Sequence, residues 1–256
     1  MTDVLTLAVV FLASIIPPII YLVWVRNAET CQRESFGSVL RAFMIGASLS
    51  VGIALVLEVL ILQLLFGSGP LSPLNPSDVT LVTFVSAVIV APIVEELSKA
   101  IGIMGMRQYV HELEDGLVYG VSVGLGFAAA ENMIYAGDAA INGIVAILSI
   151  ATIRAVSSTL LHASATASSG YGLGRQWLMA RVGAQGSWIG FYLLAVLLHA
   201  TYNFLAILGV IFTDSAETAS LIGLGGAVLL VVVCFVLIRG RIESLDRANC
   251  RPPSSF

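Results

Sequence analysis

Apolar residues run in long, nearly unbroken stretches along this chain, separated by short polar breaks. Windows of about 20 apolar residues, the length that crosses a bilayer at ~1.5 Å per residue, recur along it. They lie near residues 3–25, 38–66, 79–106, 116–136, 141–169, 188–210 and 218–238. The pattern predicts an all-α, polytopic membrane helix bundle of about seven transmembrane helices. Pro17 and Pro18 should kink the first span. The segment GSGPLSPLNPSD (67–78) reads as a loop. No repeat or low-complexity tract interrupts this order. Residues 1–256 are expected to form a single transmembrane domain. Its core is expected over 79–210, with the first, second and seventh spans peripheral.

Composition sharpens the picture. The chain is 58% hydrophobic and 11% charged, with a mean hydropathy of +0.97, so no segment is left to build a soluble domain. The net charge of −4 and the absence of a basic patch argue against nucleic acid as a partner. Cys31, Cys234 and Cys250 are scattered without CxxC spacing, which argues against a disulfide framework or a thiolate zinc site. The opening MTDVLTLAVV lacks a basic stretch, so it reads as a retained first helix.

Arg26, Arg33, Arg107, Arg175, Arg181, Arg239, Arg241, Arg247 and Arg251 all fall on one side of the predicted bundle. The segments on the other side carry no Lys or Arg. Positive charge is retained on the cytoplasmic side, which sets the N-terminus outside and the C-terminus in the cytoplasm of a cell (plasma or inner) membrane. Arg41 sits at a span end and can snorkel. Lys99 and Arg154 lie inside spans and each needs a partner.

The polar residues inside the apolar runs are the candidates for chemistry. In APIVEELSKAIG (91–102), Lys99 is i+4 from Glu95 and i+3 from Glu96, so it can pair with either. One lysine cannot neutralise both, so a proton, a metal or another cation must contribute. The fourth span carries Glu131 and Asn132 behind a small-residue face that includes Gly120, Gly124 and Gly126; these glycines read as helix packing. In the fifth span Arg154, Ser158, His162 and Thr166 recur every four residues on one face. In the sixth, His199 and Asn203 are again four apart. His111 in RQYVHELEDG reads as a loop histidine, since HELED lacks the second histidine of a zinc helix.

Depth tests whether these groups can meet. Counted from the cytoplasmic span ends, Glu95 and Glu96 lie roughly 16–18 Å in, His162 about 12 Å and His199 about 18 Å. Glu131 comes out near 24 Å, one or two turns too deep unless its helix begins above the membrane surface.

EELSK (95–99), EDGLVYGVSVGLGFAAAENMIY (114–135), the stretch from Arg154 to His162, and HATYN (199–203) together resemble the PrsW family of intramembrane proteases. That family is distantly related to the CAAX-processing and bacteriocin-protection proteases and to the Aph-1 subunit of gamma-secretase. FAAAE and EELSK stand where the CAAX branch has FxxxH and EExxxR, which argues against prenyl-peptide substrates. The resemblance implies an intramembrane endopeptidase acting on a membrane-anchored protein, of which an anti-sigma factor is one example.

Two mechanisms suit the residues. In one, Glu95 or Glu96 is the general base, a histidine assists and Asn203 stabilises the oxyanion. In the other, His162 and His199 with Glu96 or Glu131 bind zinc, and another glutamate is the base. In both, Lys99 and Arg154 hold the carboxylates in place, with Ser158 in support. A proton- or cation-coupled transporter and a non-catalytic Aph-1-like scaffold are the rival classes. Transporters often carry inverted repeats, which this chain lacks.

Overall fold

The computed structural model describes residues 4–67, 74 and 77–250. Most of the 67–78 loop, and Arg251, lie outside the described residues. In lipid every backbone N–H and C=O must be bonded within its own segment, so the apolar runs fold as helices. Among the described residues seven helical spans are long and apolar enough to cross a membrane. They comprise α1 (Val4–Arg26), α2 (Phe36–Phe66), α3 (Val79–Met104), α4 (Leu113–Ala139), α5 (Ile144–Val156) with α6 (Ser158–Arg181), α7 (Ile189–Ala206) and α9 (Ala216–Asn249). A short α8 (Leu208–Ile211) links the last two. The α1 helix runs through Pro17 and Pro18 unbroken.

The centre of the bundle is α4, nearly all of whose first half is buried. Its closest neighbour is α6, which it approaches backbone to backbone. A Cβ at Gly120 would stand 2.6 Å from the Thr166 carbonyl oxygen, and one at Gly124 would collide with the carbonyl of His162. These glycines therefore allow the contact that brings the polar face of α6 against α4.

The fifth span differs from expectation in two ways. It extends to Arg181 instead of ending near 169, because the small polar residues after His162 bury against α4 and never meet lipid. It is also broken at Ser157, between α5 and α6. The extension resolves the depth discrepancy. His162 lies 19 residues from the end of α6 and Glu131 18 residues from the start of α4, so the two stand level where these helices pack side by side.

Two spans contain a π-helical turn, Gly46–Ser50 in α2 and Val85–Val90 in α3. The second ends just before Pro92, whose missing N–H leaves a carbonyl of the preceding turn without its helical donor.

The cysteine expectation needs correction: Cys31 and Cys250 are joined by a disulfide across 219 residues of sequence. Spacing along the chain could not show this, because the helix packing brings the pair together. Asp246 fixes the approach, its carboxylate accepting from the Thr30 N–H (3.0 Å), the Thr30 hydroxyl (2.7 Å) and the Cys31 N–H (3.0 Å).

Candidate active site

Four helices converge on one polar cluster: α3 supplies Glu95, Glu96 and Lys99, α4 supplies Glu131, α6 His162 and α7 His199. All but Glu131 are buried, Glu96 and Lys99 completely. The Lys99 ammonium touches three groups at once, Glu96 Oε1 at 2.8 Å, Glu95 Oε2 at 3.0 Å and His162 Nδ1 at 2.8 Å. It also stands 4.1 Å over the Phe127 ring.

These contacts settle the histidine tautomers. An ammonium only donates, so His162 Nδ1 accepts from Lys99 and the ring proton sits on Nε2, which donates to Glu131 Oε2 at 2.7 Å. His199 Nδ1 lies 3.0 Å from Glu96 Oε1 and donates to it, leaving the Nε2 lone pair free. Glu95 Oε2 faces both unprotonated nitrogens, 3.8 Å from His162 Nδ1, which Lys99 also contacts, and 4.0 Å from His199 Nε2. Two imidazole lone pairs and a carboxylate oxygen therefore converge, each histidine oriented from behind by its own carboxylate. That is the donor chemistry of a zinc site with its outer-layer carboxylates. The carboxylate oxygen that lies nearest both of these nitrogens is that of Glu95, a residue the sequence reading offered as a general base, with Glu96 or Glu131 as the candidate ligand. Those two instead hold the far nitrogens.

The supporting residues form a second layer. Arg154 donates to Glu131 Oε2 (2.6 Å), Ser158 Oγ (2.9 Å) and Asn132 Oδ1 (2.7 Å), while Asn132 donates to Thr159 Oγ1 (3.0 Å). Thr166 Oγ1 donates to Glu96 Oε2 at 3.2 Å. Asn203 lines the cavity, and its amide donates at 2.7 Å to the Ala87 carbonyl, inside the π turn ahead of Pro92. It thus ties α7 to the segment carrying the glutamates. His111 stays exposed in its loop, away from the cluster.

A cavity of about 790 Å³ opens in front of the cluster. Glu95, Glu131, His162 and His199 line it, whereas Glu96 and Lys99 lie behind its wall. Glu58 of α2 also lines it, and sequence reasoning passed over this residue. The signal was present, since a carboxylate within ALVLEVLIL is an ionisable group inside a span.

Residues 34–238 match the model of the PrsW family of intramembrane metalloproteases. Over 200 residues the chain is 30% identical to Protease PrsW of Clostridioides difficile (strain 630), covering 76% of this chain and 78% of that protein. No solved structure matches the chain.

Proposed function

The chain belongs to the PrsW family of intramembrane metalloproteases, and from that membership we propose that Glu95, His162 and His199 are the centre at which it hydrolyses a peptide bond of a membrane-anchored protein. The convergence of Glu95 Oε2 with two unprotonated imidazole nitrogens carries this reading. These three residues would hold a zinc ion. Such an ion, when bound, lowers the pKa of a coordinated water to about 7 and polarises the scissile carbonyl.

The remaining roles belong to the chain's own groups. Glu131 and Glu96 keep the ring protons of His162 and His199 on the far side, which leaves His199 Nε2 free and His162 Nδ1 as an acceptor that Lys99 now occupies. Glu131 Oε1 takes part in none of the contacts made by Oε2, and Glu131 lines the cavity, so it can accept the proton of the attacking water. Arg154 holds Glu131 in place. Ser158 steadies Arg154, and Asn203 positions the backbone in front of Glu95.

Arginine asymmetry supports placing the N-terminus outside and the C-terminus in the cytoplasm of a plasma or inner membrane. On that topology Asp138, near the outer end of α4, lines the outward part of the cavity. Substrate identity, an anti-sigma factor included, belongs to this proposal. So does the single transmembrane domain over residues 1–256 with its catalytic core at about 79–210, to whose cavity α2 adds Glu58.

Metal analysis of purified protein, with cleavage of a membrane-anchored substrate followed under chelation, tests the assignment. One zinc per chain and chelator-sensitive cleavage are expected, and both should vanish in His199→Ala. Metal-free protein that still cleaves would overturn the zinc reading. It would leave a second one, in which Glu95 is itself the general base. One observation favours that alternative: the Lys99 ammonium already bridges Glu95, Glu96 and His162 and balances the cluster.

A further inference from the structure

Four carboxylates line the cavity, and they fall into two kinds. Glu95 is paired with Lys99 at 3.0 Å, and Glu131 with Arg154 at 2.6 Å and His162 at 2.7 Å. Glu58 and Asp138 have no hydrogen bond or ion pair among the described residues. Asp138 is exposed, so water can solvate it. Glu58 is half-buried on the α2 wall, and its neighbours Ala54, Leu55 and Leu62 in that wall are apolar.

The cations near this wall are already engaged. Arg154 donates to Glu131, Ser158 and Asn132 and lies 4.0 Å over the Tyr135 ring. Lys99 sits behind the wall against Glu95, Glu96 and His162. Glu58 is nevertheless within coulombic reach of Glu95, Glu131 and Lys99, so it belongs to the same electrostatic compartment as the triad. An ionisable group inside a span is costly without a partner, and the described residues supply none here. The cavity is far larger than an ion needs and is large enough for a short peptide segment. A peptide bond held over Glu95, His162 and His199 places its flanking side chains along this wall.

We propose that Glu58 selects the substrate: it receives a lysine or arginine side chain that flanks the scissile bond. This rests on the peptidase reading above, and it adds a substrate class, a membrane segment with a basic residue on the cavity side of the cleaved bond.

The test uses full-length protein in bicelles and quenched-fluorescent single-span peptides. The peptides are identical except for one residue, Lys, Gln or Glu, stepped through the outward third of the span. At one position the Lys peptide should exceed the Gln peptide about tenfold in kcat/KM, the scale of a hydrogen bond to a charged group. Glu58→Gln should bring that ratio close to one, Glu58→Asp should preserve it, and Glu58→Lys should turn the preference towards the Glu peptide. A wild-type ratio near one at every position, or a ratio that survives Glu58→Gln, overturns the proposal. Binding of the same peptides to Glu95→Gln protein, read by anisotropy, separates the two claims. Charge-dependent binding without wild-type cleavage keeps the subsite and overturns the peptidase reading. Cleavage without charge dependence does the reverse, and the absence of both overturns both.

Discussion

Lys99 Nζ lies 2.8 Å from His162 Nδ1, the nitrogen that also faces Glu95 at 3.8 Å. The ammonium therefore occupies one lone pair of the donor set and supplies the positive charge the cluster needs. A metal held by this donor set would compete with the lysine for the same nitrogen while sharing the task of balancing Glu95 and Glu96.

That competition predicts how Lys99→Met behaves. Without metal, the variant leaves buried Glu96 facing Glu95 with no ammonium between them, a loss of about 3–5 kcal/mol for a broken buried pair. Zinc should restore much of it, because binding to the folded state alone raises stability. Thermal unfolding in detergent, with and without zinc, reads the effect. The zinc-induced rise in Tm should be larger in the variant than in the wild type, and equal rises would refute the account.

Glu131 acts from behind His162, so Glu131→Gln should weaken zinc binding about 10–100-fold, as loss of an outer-layer carboxylate does elsewhere. Competition against a chromophoric chelator measures this directly. Glu96→Gln should have a similar effect through His199. An affinity unchanged in both variants would mean that the carboxylates do not orient the imidazoles.

Gly124 allows the α4–α6 contact at the level of His162, and a Cβ there would meet the His162 carbonyl. Gly124→Ala should cost roughly 1–3 kcal/mol as overpacking and lower cleavage by displacing the imidazole. Gly137 on the same helix has open space around it, so Gly137→Ala should be neutral or stabilising by up to ~1 kcal/mol. Thermal unfolding of the two variants side by side checks the contrast.

Glu29 lies outside the spans and is buried near Glu34, Glu114 and Asp115. Burial, reinforced by those carboxylates, pushes its carboxyl up to about 8, although its Oε2 accepts the Glu34 N–H at 2.9 Å. The folded protein then binds more protons than the unfolded chain between pH 4.5 and about 8, so this group's stability contribution is lost as pH rises through that window. Glu29→Gln should remove this slope and stabilise the protein above pH 8 by on the order of 2–3 kcal/mol. Unfolding midpoints measured from pH 5 to 9 test it; an unchanged slope would assign the pH dependence to other groups.

Much of the molecule was legible in the sequence because lipid leaves the backbone so few choices. Seven apolar runs became seven spans, and the ionisable residues inside them, Glu95, Glu96, Lys99, Glu131, Arg154, His162 and His199, gathered in one place. Apolarity was a poor guide where protein replaced lipid. The polar half of α6 continues to Arg181 because α4 covers it, and this shift brought Glu131 level with His162. Glu58 was readable as an intramembrane carboxylate, but only the cavity gave it neighbours.

Sequence by itself determined which side chains are available and which span carries each, since hydropathy acts along one chain. Tertiary structure decided which way each one faces. Glu95 and Glu96 are adjacent in sequence and so point about 100° apart on their helix. Only the rotation of α3 against α6 and α7 puts Glu95 in the cavity wall and Glu96 behind it, holding His199. That rotation is set by side-chain packing between helices distant in the chain, as is the meeting of Cys31 with Cys250.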